Sequence, residues 1–124
     1  MAVYLHLPLR PVPASRPRVT RWGTYYSKTY TAWRKAAAEL IPKATSPLEG
    51  PLRVRVLSLV ERPRTSRLPH PKPDVDNYAK AALDVVTSHG GQWHDDAQII
   101  HLTTEKRWCE PEEEEGTYIL IEPA

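Results

Sequence analysis

The sequence contains no phenylalanine, a single cysteine and no long apolar run. One cysteine, Cys109, excludes an internal disulfide, which is typical of a protein in a reducing cytosol. It lies beside glutamates, which raise a thiol pKa, so we do not expect a nucleophilic role. No apolar stretch approaches the roughly 20 residues needed to span a bilayer, and the first residues lack the apolar region of a signal peptide. We therefore expect a cytoplasmic protein.

The chain is short, and its 124 residues, of which 40% are hydrophobic, allow one domain over residues 1–124 with one modest core. Because so small a core leaves apolar surface exposed, pairing with a second copy is expected. Most of the 13 prolines lie in two tracts, residues 8–18 and 62–73. Proline breaks helices and central strands, so both tracts are predicted to be loops or arms.

The net charge of +2 conceals a separation of charge along the chain. Residues 1–73 carry 14 basic and 3 acidic side chains, whereas residues 74–124 carry 3 basic and 12 acidic ones. This asymmetry indicates a polyanionic partner for the first part and a cation for the second. Alternatively, folding brings the two parts together and their charges neutralise each other. Surface ion pairs contribute only about 0–1 kcal/mol each, so stability alone gives little reason for the separation.

Hydrophobic periodicity predicts four strands and two helices. Alternating or β-branched runs indicate strands at residues 3–7, 51–61, 97–108 and 117–122. Helical spacing predicts one helix from about Thr31 up to Pro42 and another from Asp76, as N-cap, to Ser88, with glycine ending the second. The fold class is therefore α+β, with one four-stranded mixed or antiparallel sheet and two helices. The last two strands are expected to form an antiparallel hairpin around a solvated "EPEEEEG" turn.

Two acidic pairs stand out in the second part of the chain, Asp74 with Asp76 and Asp95 with Asp96. In an extended segment the side chains at i and i+2 point the same way, so the first pair can face one ion. The second pair follows a glycine loop and is predicted to close the site from the opposite side. Mg²⁺ prefers such carboxylates, with water and phosphate completing its shell. Lys80, four residues after Asp76, is expected on the same helix face, where it can contact a phosphate.

Two other interpretations use neighbouring residues. Taken alone, a D-x-D pair is weak evidence, since Asp76 can be a helix cap that forms an i,i+4 ion pair with Lys80. His70, His94 and His101 can suggest a zinc hydrolase, but no H-x-H or H-x-x-x-H spacing supports that interpretation. These histidines are better explained as loop and strand residues, with His94 beside Asp95 as a candidate partner of a metal ligand.

The combined pattern of "PDVDNYAKAALDVV", "GGQWHDDAQII" and "EKRW", within residues 72–108, resembles the RusA family of Holliday-junction resolvases. The resemblance implies a homodimeric endodeoxyribonuclease of DNA recombination and repair in bacteria and their phages. Such enzymes cut four-way junctions with Mg²⁺, for which Mn²⁺ can substitute. It implies that Asp74, Asp76 and Asp96 are catalytic metal ligands, that Lys80 is a catalytic lysine, and that Asp95 fills an adjacent acidic position. A non-catalytic module that binds branched DNA on the same fold is the alternative.

Basic residues in and around the two proline-rich tracts are expected to bind DNA. Between residues 10 and 28, arginine and lysine alternate with tyrosine and tryptophan, a mixture that can contact phosphates and stack on exposed bases. The predicted DNA-binding residues are Arg16, Arg18, Arg21, Lys28, Arg62, Arg64, Arg67 and Lys72. The first tract departs from the family pattern, and the glycine loop "SHGGQW" is longer than in some members.

Overall fold

The computed structural model describes residues 2–15, 18–21, 23–25 and 27–124. The elements follow one another as β1 (Val3–Leu7), β2 (Arg18–Thr20), β3 (Gly23–Tyr25), α1 (Lys28–Leu40), β4 (Leu52–Val60), α2 (Val75–Val85), β5 (Ile99–Trp108) and β6 (Gly116–Pro123). A π-helical turn, Val86–Gly90, continues α2, and a 3₁₀ turn, Asp96–Gln98, precedes β5. Neither helix of the described chain has the length and apolar character required to cross a bilayer.

The main sheet has four strands in the order β1-β6-β4-β5, which confirms the predicted mixed α+β fold with two helices. β6 is antiparallel to both β1 and β4, whereas β4 and β5 run parallel. The predicted hairpin of the last two strands is wrong. A parallel pair needs a crossover connection, and α2 provides it between β4 and β5. The chain then crosses the end of β4, where the Cys109 amide donates to the Val60 carbonyl at 2.9 Å, and β6 enters on the other side.

The core lies between the sheet and the two helices. In β4, Val54 and Val56 are buried while Arg53 and Arg55 between them are exposed, which confirms a strand with one apolar and one basic face. Ile119 and Ile121 of β6 extend the buried face, which packs against apolar residues of both helices. Each fully buried aliphatic side chain contributes about 1.5–3 kcal/mol to folding, so this single layer of contacts holds α2 against the sheet.

The first helix begins one turn earlier than predicted. Ser27 is its N-cap, and the Ser27 hydroxyl accepts a hydrogen bond from the Tyr30 amide at 3.2 Å. The helix ends at Leu40, before Pro42, as predicted. A serine cap satisfies an amide that the helix itself leaves unpaired, so it extends the helix beyond the apolar pattern from which the boundary was predicted.

The N-terminal arm contains a short antiparallel hairpin, β2 with β3, that the sequence did not predict. Its strands are only three residues each and lie outside the main sheet. Elsewhere the arm packs on the body of the protein, where the Ala14 amide donates to the Asn77 carbonyl of α2 at 2.9 Å. The arm is thereby connected to the first turn of α2.

The glutamate-rich turn between β5 and β6 is only partly solvated, contrary to the prediction. Glu113 forms a two-pronged ion pair with Arg107, with oxygen–nitrogen distances of 2.6 and 2.7 Å. This pairing lowers the pKa of Glu113 to about 2. Glu115 accepts hydrogen bonds from the Glu61 amide at 2.6 Å and from Arg10 at 3.1 Å. These two glutamates tie the turn to its surroundings, which the run of like charge did not indicate.

Candidate active site

A cleft of about 240 Å³ lies between α2 and β5. Its acidic and basic groups are Asp76, Lys80 and Asp84 from α2 and Asp96 from the turn before β5. The remainder of the wall consists of Ala79, Leu83, Leu102 and Thr104. Asp76, Lys80 and Asp84 follow one another at intervals of four positions, so they share one side of the helix. The tertiary structure thus brings together three of the predicted site residues, Asp76, Lys80 and Asp96.

Asp74 and Asp76 face different surroundings, so the predicted side-by-side arrangement is wrong. The helix begins at Val75 with Asp74 as N-cap, and Asp76 belongs to the first helical turn rather than being the cap. Asp74 has an extended backbone whereas Asp76 is helical, so the rule that side chains at i and i+2 of an extended segment point the same way does not apply to this pair. Asp76 lines the cleft, whereas Asp74 lines a separate cavity together with Lys72, Asn77 and residues of the N-terminal arm. The Asp74 carboxylate is exposed and makes no capping hydrogen bond.

Lys80 shares the cleft with Asp76, as predicted, and forms an ion pair one turn further along. Its Nζ lies 3.4 Å from Oδ2 of Asp84. The Lys80 side chain is 64% exposed, so it is accessible to a ligand in the cleft. Asp84 was not predicted as a site residue, although its i,i+4 spacing from Lys80 is a signal from which the pair could have been found.

Asp96 experiences a negative electrostatic environment. Partial burial raises the pKa of its carboxyl group, and a hydrogen bond and charge repulsion from Asp95 raise it further. Asp84 adds to this effect, while Lys80 opposes it. A cation in the cleft would favour the ionised form of Asp96, because an opposite charge within a few ångströms stabilises a carboxylate. Asp95 therefore acts on Asp96 directly, although it does not line the cleft itself.

The donor set fits a cation that prefers oxygen. Three aspartates, Asp76, Asp84 and Asp96, line the cleft, and Mg²⁺ is usually bound through one or two carboxylates, with water and substrate phosphate completing its shell. The Thr104 hydroxyl is buried and has no hydrogen-bond partner among the described residues. No group of three or more His, Cys, Asp or Glu side chains within the described ranges lies close enough to hold a metal ion. The expected set of aspartates is thus only partly assembled.

The turn that carries Asp95 and Asp96 is held by a single side-chain amide, Gln98. Its Oε1 accepts hydrogen bonds from the amides of His94 and Asp95 at 2.7 and 3.2 Å. Its Nε2 donates to the carbonyls of Leu48 and Gly50 at 3.0 and 2.9 Å. The amide thereby satisfies both its donors and its acceptor, which gives the turn a defined position beside the cleft.

The histidines are engaged elsewhere or exposed. His94 lies 2.8 Å from Oε1 of Glu49, so it contacts a glutamate outside the cleft rather than Asp95. The Nδ1 of His70 lies 3.0 Å from the Pro71 carbonyl, to which it donates. His101 is exposed on β5. Burial and the nearby glutamates raise the pKa of the Cys109 thiol, in agreement with the expectation that it is not a nucleophile.

The predicted DNA-binding residues lie mainly on exposed surface. Lys72 lines the cavity that contains Asp74. Arg62 donates through Nε to the Ser66 carbonyl at 3.2 Å, which stabilises a turn in the second proline-rich tract. Exposed side chains also belong to Arg21, Lys28, Arg64 and Arg67. Arg16 lies outside the described residues, and the side chain of Arg18 is not among those described.

Comparison with known families agrees with this architecture. The family model of the endodeoxyribonuclease RusA matches residues 8–122, nearly the whole of the 124-residue chain. No curated protein matches the chain significantly. The match extends well beyond the segment that carries the sequence resemblance, and it includes both helices, the strands β4 and β5, nearly all of β6 and every residue that lines the cleft. The chain therefore belongs to the RusA family of endodeoxyribonucleases.

Proposed function

We propose that this chain is a metal-dependent endodeoxyribonuclease that resolves four-way DNA junctions by paired, symmetric nicks. The observation that carries the proposal is the convergence of Asp76, Lys80 and Asp96 on one cleft. Two carboxylates and an accessible ammonium are the groups that metal-assisted phosphodiester hydrolysis requires. A module that only bound DNA would gain nothing from acidic side chains next to a phosphate backbone, because they repel it.

The metal site would be formed by Asp76 and Asp96, with Asp74 joining them. The Asp74 carboxylate makes no capping hydrogen bond, so its side chain can adopt another rotamer without breaking one. Mg²⁺, or Mn²⁺ in its place, would supply an acidified water and neutralise charge on the leaving oxygen. Asp95 acts from outside this set, since its hydrogen bond and its negative charge raise the pKa of Asp96.

Lys80 would bind the scissile phosphate and stabilise the charge that develops on it in the transition state. Its ion pair with Asp84 keeps the ammonium directed along the cleft before DNA binds. The apolar side chains of Leu83 and Leu102 line the same cleft, where they would exclude water from the phosphate once DNA covers it. Electrostatic interactions at the phosphate would then be stronger than they are in water.

The exposed basic residues of the two proline-rich tracts would carry the DNA backbone to the cleft. Lys72 is the best placed of them, because it shares a cavity with Asp74. Phosphate contacts of this kind supply affinity that falls with increasing salt concentration. A four-way junction has an approximate two-fold axis, and one protomer offers a single cleft of this composition within the described chain. A C₂ homodimer would place two such clefts on two equivalent strands.

The deciding experiment is a cleavage assay on synthetic four-way junctions with and without Mg²⁺, with linear duplex DNA of the same sequence as the control. The proposal predicts Mg²⁺-dependent, paired nicks in the junction and little cleavage of the duplex. Tight junction binding with no cleavage at any concentration of Mg²⁺ or Mn²⁺ would instead support the non-catalytic binding module. Cleavage of the duplex at the same rate would argue against junction specificity.

A further inference from the structure

A second lysine lies close to the proposed site but binds only backbone atoms. Lys106 is a partly buried residue near the end of β5. Its Nζ donates to the Pro71 carbonyl at 2.8 Å and to the Pro73 carbonyl at 2.6 Å. Within the described ranges, no carboxylate forms a salt bridge with it, in contrast to Lys80. The Lys106 ammonium therefore binds the backbone of one short segment, residues 71–73.

That segment has few other means of attachment. Proline has no amide hydrogen, so Pro71 and Pro73 can be held through hydrogen bonds only at their carbonyl oxygens. The Pro71 side chain is fully buried, which anchors one end of the segment. Lys106 bonds both carbonyls at once and thereby fixes the backbone on each side of Lys72. The next residue is Asp74.

The position of Asp74 determines where α2 begins. Its carbonyl accepts hydrogen bonds from the amides of Asn77 and Tyr78 at 3.1 and 3.3 Å, which form the first turn of the helix. The Asp74 carboxylate makes no capping bond of its own, so its location depends on the backbone that carries it. A shift of this backbone would move Asp74 and the first turn, which contains Asp76.

Lys106 also belongs to the strand that forms one wall of the cleft. Leu102 and Thr104 of β5 line the cleft, and side chains two residues apart on a strand share a face. Lys106 is the next residue on that face. The same strand therefore positions the β5 wall of the cleft and, through Lys106, the start of the helix on the opposite side.

We propose that Lys106 is a positioning residue for the metal site, which holds the Pro71–Pro73 backbone so that the carboxylates of Asp74 and Asp76 can reach one ion. This inference rests on the proposed metal-dependent function. Lys106 is not proposed to contact DNA or metal, because two of its three N–H donors are used on carbonyls. Loss of a residue that supports metal ligands typically lowers metal affinity by about 10–100-fold.

The test measures Mn²⁺ binding to the full-length protein without DNA, by electron paramagnetic resonance, for wild type, Lys106→Met and Lys106→Arg. Methionine keeps the length and apolar part of the side chain but removes the donors, whereas arginine can donate to two carbonyls. The matched control is Lys43→Met, because Lys43 also donates to a backbone carbonyl, that of Ala38 at 2.6 Å, and lies just beyond the end of α1, outside the residues that line the cleft.

We expect Lys106→Met to weaken Mn²⁺ binding at least about tenfold, Lys106→Arg to restore most of the affinity, and Lys43→Met to bind as wild type does. In junction cleavage, the Mg²⁺ concentration for half-maximal rate should rise for Lys106→Met, while the rate at saturating Mg²⁺ should approach that of wild type. If Lys106→Met does not fold, Lys106→Gln replaces it. The glutamine side chain is one bond shorter than that of lysine, so its amide nitrogen should not reach both carbonyls, and weaker Mn²⁺ binding is again expected.

Unchanged Mn²⁺ affinity of the folded Lys106 variant, in a protein whose wild type cuts junctions, would overturn the positioning role and leave the proposed function intact. A wild-type protein that neither binds Mn²⁺ nor cuts junctions would overturn both. Equal weakening of Mn²⁺ binding in Lys106→Met and Lys43→Met would also overturn the positioning role, because the effect would then be a general loss of rigidity.

Discussion

The Nζ of Lys80 lies 3.4 Å from Oδ2 of Asp84, one turn further along α2, and both side chains line the cleft that also contains Asp76 and Asp96. An exposed i,i+4 pair of this kind contributes only about 0.3–0.5 kcal/mol to stability. Its importance is in orientation, because it directs the one ammonium among the residues that line the cleft. The pair provides a means of separating catalytic from structural effects.

Lys80→Ala should impair cleavage more than binding. Removing a group that stabilises transition-state charge costs about 2.7–4 kcal/mol, or about 10²–10³-fold in rate. Single-turnover cleavage and junction affinity, measured on the same preparation, would separate the two effects, with Lys43→Ala as the control. A cleavage rate close to wild type would remove Lys80 from the catalytic residues.

Asp84→Asn should slow cleavage less than Lys80→Ala, because it misdirects the ammonium without removing it. The double variant should cleave about as slowly as Lys80→Ala alone, which corresponds to a coupling free energy of about 0.5–3 kcal/mol between the two residues. A double-mutant cycle on the cleavage rate measures this value. Strictly additive effects would indicate that Asp84 acts independently of Lys80.

Asp76→Asn and Asp96→Asn should each abolish cleavage while leaving junction binding unchanged or tighter. Each substitution removes a proposed metal ligand and also removes a negative charge next to phosphate, which reduces repulsion. Junction binding measured without metal and cleavage measured in Mg²⁺ test this prediction. Glu112→Gln, which removes one exposed negative charge, is the charge-matched control. Parallel loss of binding and cleavage would point to a structural role.

The ion pair of Glu113 with Arg107 should make stability fall in acid. The pKa of Glu113 is lowered to about 2 from an ordinary value of 4.5. The contribution of the ion pair to stability is therefore fully present above pH 4.5 and is lost as the pH falls towards 2. Glu113→Gln should therefore destabilise the protein at pH 7 and show a shallower loss of stability between these pH values. Urea unfolding at several pH values measures this. The same pH dependence in Glu113→Gln and wild type would contradict it.

A homodimer is expected at micromolar concentration without DNA, because symmetric resolution requires two clefts related by a two-fold axis. Sedimentation equilibrium gives the assembly state, and mapping both nicks on a labelled junction shows whether they are placed symmetrically. A protomer that remains monomeric both free and on a junction would favour a nuclease that makes single nicks.

The elements of the fold follow from local patterns that the sequence contains. The alternation of valine and arginine in β4 predicted a strand with one buried face, and the apolar spacing after Asp76 predicted a helix, because periods of two and 3.6 residues reflect backbone geometry alone. The glycine that ends the second helical segment also follows from local sequence, since Gly91 adopts a φ of 67°, a left-handed conformation that glycine accepts without strain. The order of acidic and basic residues, and with it the family resemblance, is also a property of the sequence.

Strand pairing and the composition of the cleft were decided only by the tertiary structure. Whether β5 pairs with β6 or with β4 depends on how α2 crosses the sheet, which no local period encodes. The N-cap of α2 lies two residues earlier than predicted, at Asp74, and Asp76 lines the cleft while Asp74 lines a separate cavity. Lys106 and the Pro71 carbonyl are 35 positions apart in the sequence and become partners only when β5 packs beside the proline-rich tract. Local sequence determines the conformation of each segment, but contacts between distant segments form only when their apolar faces are buried together.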